Sequence, residues 1–225
     1  MRQLEARLQL GCNLWVTICV SVASTNSTIS TNMKRIMTTL RPTSLGYALL
    51  GLIHMQPQNG YDLRKLFATT PMGNYSSSPG AIYPALKRLE RAKLIEGEVA
   101  DGDTLRPKRV YTATPLGIET LRDWVSQIIV KDDLVHKDAE LMLRFALMGS
   151  VVDNETTRRF LEQMSKVLDE YIPELEQVLA AMPEGGPPHG RLALSSGIEA
   201  YKGRRKWARK AIKEFEPPNE KRRKQ

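Results

Sequence analysis

Ser78-Pro-Gly-Ala-Ile-Tyr-Pro-Ala-Leu-Lys-Arg-Leu-Glu-Arg-Ala-Lys-Leu-Ile95 is the stretch on which the fold turns. At helical periodicity Ile82, Ala85, Leu86, Leu89 and Ala92 share one arc, and Tyr83, Lys87, Arg88 and Arg91 fall on the other. A helix that buries the first arc presents three cations and a phenol, donors that suit the DNA major groove. The same pattern describes a helix whose charged face is merely solvated, so its neighbours decide. Pro84 removes a backbone donor inside the segment. The helix therefore either starts near Pro79 and kinks at Pro84, or becomes regular only around Ile82. Ser78 marks where the chain enters it.

Downstream, Leu94-Ile-Glu-Gly-Glu-Val99 and Lys108-Arg-Val-Tyr-Thr112 flank the turn-rich Ala100-Asp-Gly-Asp-Thr-Leu-Arg-Pro107, which reads as a β-hairpin with a long, projecting, mobile loop. Arg106, Lys108 and Arg109 stand at its return. Thr114-Pro115 starts a further helix with Leu116, Leu121, Trp124 and Val125. Upstream, Thr43-Ser44 can cap the apolar helix Leu45–Met55. Gly60–Phe67 is a shorter one, with Tyr61, Leu63, Leu66 and Phe67 available for burial. Helix, helix, basic-faced helix, hairpin, helix is the order of a winged helix-turn-helix, with the third helix as reader and the hairpin as wing.

Residues 44–125 resemble the DNA-binding domain of the PadR family of bacterial transcriptional regulators. The matching pieces are Leu49-Leu-Gly-Leu-Ile53, Gly60-Tyr-Asp-Leu63, Ser78 to Glu90, Leu94-Ile95, Arg109-Val-Tyr111 and Thr114-Pro-Leu-Gly117. Ala81 stands where the family often has Thr or Ser, and Leu105-Arg-Pro107 keeps the Arg and Pro of the family's wing turn. Lys137-Asp-Ala-Glu-Leu-Met-Leu-Arg-Phe145 is similar to the start of the family's helical C-terminal region, which makes the homodimer. The resemblance implies a cytoplasmic homodimeric regulator, a repressor in its commonest form, that binds a palindromic double-stranded operator. It also implies sensitivity to an aromatic small molecule. The expected roles are base edges or nearby phosphates for Tyr83 and Lys87, and backbone for Arg88, Arg91, Arg106, Lys108 and Arg109. Ser78 is expected to cap the reader and touch a phosphate.

Residues 126–216 read as helical. Asp153-Asn-Glu-Thr starts a long helix through Phe160, Leu161, Met164, Val167, Leu168 and Tyr171, which Pro173 is expected to kink or break. Leu175, Val178, Leu179 and Met182 continue the stripe, and Pro183-Glu-Gly-Gly-Pro-Pro188 is a loop. A last helix carries Leu194, Ile198, Tyr201, Ala208 and Ile212 on one arc, with Trp207 opposite and expected to meet a partner subunit. Such stripes suit an intersubunit bundle, which would set two readers one DNA turn apart. Trp124, Ile128, Leu134, Phe145 and Met148 are either an effector cavity between the two regions or ordinary core. The expected architecture is mainly α with a small β-hairpin: a leader (1–42), a winged helix-turn-helix domain (43–125), a helical dimerisation domain (126–216) and a basic tail (217–225).

The chain carries 33 Lys and Arg against 25 Asp and Glu, unevenly spread. Residues 43–125 hold 10 cations to 8 anions, 126–200 hold 7 to 13, and 201–225 hold 11 to 3. The final stretch is thus a solvated basic end, or a source of non-specific phosphate contact. In the leader, Leu14-Trp-Val-Thr-Ile-Cys-Val-Ser-Val-Ala23 is too short to span a bilayer and faintly resembles a signal peptide. An exported repressor is incoherent, so the expected translation start is Met37 or Met33. Intact mass of the native protein tests this. Both cysteines, Cys12 and Cys19, lie in the leader, which leaves no disulfide or thiolate metal site for the rest.

Enzyme chemistry finds little support. His54, His136 and His189 have no partner at ligand spacing, and no phosphate-cradling glycine loop or nucleophile elbow occurs. Asp132-Asp133 with Asp138 and Glu140 reads as a solvated acidic turn, and no cofactor or metal is called for. The other reading is a dimeric helical protein-interaction module whose winged domain does not bind DNA specifically, separable by salt dependence.

Overall fold

The computed structural model describes residues 41–70, 79–100, 108–183 and 187–216. The apolar run after Thr43 forms α1 (Ser44–Met55), in which Tyr47, Ala48, Leu49, Leu50 and Ile53 are all buried. A helix apolar on every side must be covered on every side, and α1 is the central element. It packs against α3 (Pro79–Arg91), α4 (Pro115–Val125), β3 (Lys108–Ala113) and α6 (Asp138–Met148).

Before the second helix, β1 (Gln58–Asn59) pairs with β3. Asn59 then caps α2 (Gly60–Thr69), its Oδ1 accepting from the N–H groups of Tyr61 and Asp62 at 3.0 Å each. Leu63 and Phe67, one turn apart, are fully buried, and Leu66 is half-buried. Tyr61 was expected inside and is instead 56 % exposed. It lies two residues before Leu63, on the opposite side of the helix from the Leu63–Phe67 stripe.

The decisive segment is one uninterrupted helix, α3, with Pro84 on its exposed side. Ile82, Ala85, Leu86 and Leu89 are buried as their periodicity requires. The helix stops in a Schellman turn. The Lys93 N–H donates to the Glu90 carbonyl (2.9 Å), the Leu94 N–H donates to the Leu89 carbonyl (3.0 Å), and Lys93 takes φ 57°.

β2 (Ile95–Ala100) and β3 form the hairpin, with Gly97 opposite Tyr111 and Val99 opposite Arg109. The sheet is three-stranded and antiparallel, in the order β1-β3-β2. The sequence reading lacked β1, which is only two polar residues long and carries no alternation. The wing loop, the helix-entry residue Ser78, the leader up to residue 40 and the tail from 217 lie outside the described residues.

Thr114 joins the hairpin to α4. Its hydroxyl accepts from the Gly117 N–H (3.0 Å) and donates to the Lys93 carbonyl (2.7 Å), while its own N–H donates to the Leu94 carbonyl (3.1 Å). Beyond α4 the chain forms the short α5 (Lys131–His136), where an acidic turn was expected. Asp133 accepts from the Val130 N–H (3.1 Å) and pairs with Lys137 (3.1 Å). Then come α6, α7 (Asn154–Ala181) and α8 (His189–Ile212), closed by a short 3-10 turn at Lys213–Phe215.

Asp153 caps α7 through the Thr156 N–H (2.8 Å). The helix runs on past Pro173 without the expected break, and that ring is exposed. α7 and α8 form a helical hairpin around Phe160, Leu161, Met164, Leu168, Ile198 and Ala208. Trp207 is half-buried and packs edge-on against Phe145 of the same chain, centroids 5.2 Å apart. Among the described residues no helix is long and apolar enough to cross a membrane.

Candidate nucleic-acid interface

The outer face of α3 presents Tyr83, 48 % exposed, with Lys87, Arg88 and Arg91 exposed beside it. Among the described residues none of these three cations pairs with a carboxylate. Several cations of the C-terminal helices are paired. Arg158 holds Glu155 and Glu162, Arg205 and Arg209 both hold Asp169, Arg204 holds Asp138, and Lys202 holds Glu176 and Glu199. Among the described residues, then, no carboxylate pairs with the cations of the α3 face, whereas Lys202, Arg204, Arg205 and Arg209 of α8 are all paired.

On the wing, Lys108 is exposed and has no carboxylate partner among the described residues. Arg109 forms an ion pair with Glu90 of α3 and lies over the Tyr111 ring, 5.9 Å from its centroid. Gly97 makes room for both, because a Cβ there would stand 2.4 Å from Arg109 Nε and 2.8 Å from Tyr111 Cε1. Arg109 thus braces the wing against the reader helix. The Tyr111 phenol is held above its usual pKa by burial, reinforced by the Glu90 charge.

Between α2, the start of α3 and the wing lies an open groove of about 360 Å³, lined in part by Tyr61, Tyr83, Lys108, Arg109 and Tyr111. Gly60 shapes its floor: a Cβ there would lie 2.7 Å from Tyr83 Cε1. The sequence reading passed over Tyr61 and also Arg64, whose guanidinium lies 5.2 Å from the Tyr61 ring centroid. The available signal was that Tyr61 is out of phase with Leu63 and Phe67. Ser78 and Arg106 lie outside the described residues.

The profile of the family described as "Transcriptional regulator PadR-like family" matches residues 49–123, from α1 through α4 and hence every described element of this surface. Residues 49–123 are thus a PadR-like domain. A second profile, "Virulence activator alpha C-term", matches residues 139–216. The negative transcriptional regulator PadR of Bacillus subtilis (strain 168) is 28% identical over 170 residues, 72% of this chain and 92% of that protein. The transcriptional regulator YqjI of Escherichia coli (strain K12) is 25% identical over 126 residues, 56% of this chain and 55% of its own length. Crystal structures of Bacillus subtilis PadR with operator DNA and with p-coumaric acid are each 24% identical. They cover 77% of this chain, and 100% and 99% of their own, at a TM-score of 0.35, too low for the superposition to carry weight.

The residues expected either to line an effector cavity or to form ordinary core differ in burial. Trp124 is buried and stacks on Tyr47, centroids 4.1 Å apart and planes 4° apart. Met148 and Leu134 are buried, Ile128 is 74 % exposed, and Phe145 lies within an aromatic group of Phe160, Trp207 and Phe215. The acidic residues near α5 also have partners. Asp132 faces Lys137 (3.6 Å), Asp138 pairs with Arg204 (2.7 Å), and Glu140 accepts from the Ser44 hydroxyl (2.5 Å). The histidines stand apart on α1, α5 and α8.

Proposed function

We propose that the chain is a cytoplasmic homodimeric repressor whose α3 enters the major groove of a palindromic operator, and which an aromatic small molecule releases. The observation that carries this reading is the set Lys87, Arg88 and Arg91 around Tyr83, without a carboxylate partner among the described residues, on a helix whose other face buries Ile82, Ala85, Leu86 and Leu89. In this reading Tyr83 and Lys87 reach base edges or adjacent phosphates, and Arg88, Arg91 and Lys108 hold the backbone. Ser78 and Arg106 keep the DNA-contacting roles that the family resemblance implies. Arg109 contributes mainly by holding the wing to Glu90.

Dimerisation is assigned to α7 and α8, whose exposed Val178 and Leu192 leave apolar surface for a second copy. The names of two PadR structures, one with operator DNA and one with p-coumaric acid, motivate the operator and the aromatic effector. The C-terminal match to a family of virulence activators favours a second sign of control, activation from the same binding mode.

Fluorescence anisotropy with duplex DNA from upstream of the chain's own gene, beside an unrelated duplex and at two salt concentrations, tests the reading. Specific binding that weakens steeply with salt is expected. Lys87→Ala should weaken it by about 1–3 kcal/mol while leaving the dimer intact. Salt-insensitive or absent binding would point instead to a protein-interaction module. A promoter–reporter assay in a deletion strain then gives the sign: expression rises for a repressor and falls for an activator.

A further inference from the structure

We propose that the groove between α2, the start of α3 and the wing seats a single phosphate of the DNA backbone. Lys108 and the hydroxyls of Tyr61 and Tyr83 are its donors. The inference rests on the DNA-binding reading above and extends the contact surface to α2, which the reader helix and wing alone do not include. Four observations converge on it.

First, the groove carries net positive charge. Lys108 has no carboxylate partner among the described residues, and Glu90 is taken up by Arg109. Asp62, the nearest acid on α2, accepts from Asn59 Nδ2 at 2.7 Å and lines a neighbouring groove with Lys65 and Thr69. Second, the leading amides of α2 are occupied, since Asn59 Oδ1 already accepts from both Tyr61 and Asp62. An anion here is therefore met by side chains, and exposed phenols and an ammonium are the donors available. Third, Tyr83 is held close to α2. Any side chain at position 60 would collide with the Tyr83 ring, so the glycine lets that ring lie across the start of α2. Fourth, the groove adjoins the α3 face that carries Lys87 and Arg88, where the backbone rims a major groove holding α3.

A phosphodiester fits this donor set better than a base edge. It offers anionic oxygens to one cation and two neutral hydroxyls and demands no planar, bidentate partner. Arg64, close to the Tyr61 ring, adds positive charge at the outer rim.

The test uses the full chain and anisotropy titrations across a salt series on the upstream and unrelated duplexes. Lys108→Gln should lower the slope of log Kd against log salt by about one on either duplex, because one phosphate contact is lost. Tyr61→Phe should weaken binding several-fold with no change in slope, since it removes a hydroxyl and no charge. Its thermal melt should match that of the parent.

A scan of upstream duplexes, each with one methylphosphonate, then locates the phosphate. At one position per half-site, neutralisation should weaken the parent protein but add nothing to Lys108→Gln. An unchanged slope for Lys108→Gln, or strict additivity at every position, overturns the seat while DNA binding stands. Failure to bind either duplex overturns the DNA-binding reading, and the seat falls with it.

Discussion

Lys93 is the residue whose conformation runs most against its chemistry, with φ 57° in a chain whose described glycines all keep negative φ. The left-handed conformation costs a residue with a Cβ about 1–2 kcal/mol relative to glycine. It persists because the turn there closes two backbone hydrogen bonds and offers its carbonyl to Thr114. Lys93→Gly should therefore raise the midpoint of urea unfolding, corresponding to a gain of up to about 1 kcal/mol. A fall would show that the lysine side chain supplies something the turn geometry does not. At this scale the sequence was legible wherever periodicity spoke. Ile82, Ala85, Leu86 and Leu89 are inside, and Tyr83, Lys87, Arg88 and Arg91 are outside. It was silent where a single contact decides. Nothing in a lysine announces a left-handed turn. Nothing in Gly117 announces that a Cβ there would lie 2.1 Å from the Leu94 carbonyl oxygen.

At the scale of elements, the caps were the most readable signals, because a cap is local. Thr114-Pro115 and Asp153-Asn154 start helices where their chemistry says they should. The Asp153 carboxyl is held below its usual pKa by hydrogen bonds from Thr156, so its ionised form stabilises the folded chain. That contribution is present above the unfolded pKa and is lost as pH falls through the lower folded value. Asn at this position caps equally well without titrating. The stability advantage of the parent over Asp153→Asn, measured by urea unfolding, should shrink as pH drops from neutral into the acid range. A constant difference would deny the carboxylate its role. The prolines were read less well: Pro84 and Pro173 were expected to disturb their helices, and both helices continue through them. In each case the ring sits on an exposed face, and exposure depends on packing that one segment does not reveal. β1 lay out of reach for a related reason, since Gln58-Asn59 becomes a strand only because β3 lies beside it.

Across the whole molecule, the winged-helix region and the C-terminal helices are joined by hydrogen bonds that no sequence window contains. Arg122 Nε donates to the Val151 carbonyl (3.0 Å), His54 Nε2 lies 3.0 Å from the Ser150 carbonyl oxygen, and the Ser44 hydroxyl reaches Glu140. The deepest link is Arg144 on α6. It is only 3 % exposed, and it donates to the carbonyls of Val125 and Gln127 at the end of α4 with its guanidinium 5.1 Å from the Phe160 ring centroid. A cation at a helix C-terminus is electrostatically favoured. Its burial opposes that, lowering the Arg144 pKa, and Nε has no partner among the described residues. Which effect wins is measurable. Arg144→Met keeps the side-chain volume and the contact with Phe160 but strands two carbonyls at the seam. If the hydrogen bonds outweigh the desolvation, the variant should be less stable by about 1–3 kcal/mol in urea unfolding. It should keep the reader face intact, so any loss of DNA affinity below the melting range would come through the seam and not through lost contacts. If the variant is more stable than the parent, the buried charge is a net cost. Arg144 would then be retained for holding α4, and through Thr114 the end of α3, in one fixed orientation to the C-terminal helices.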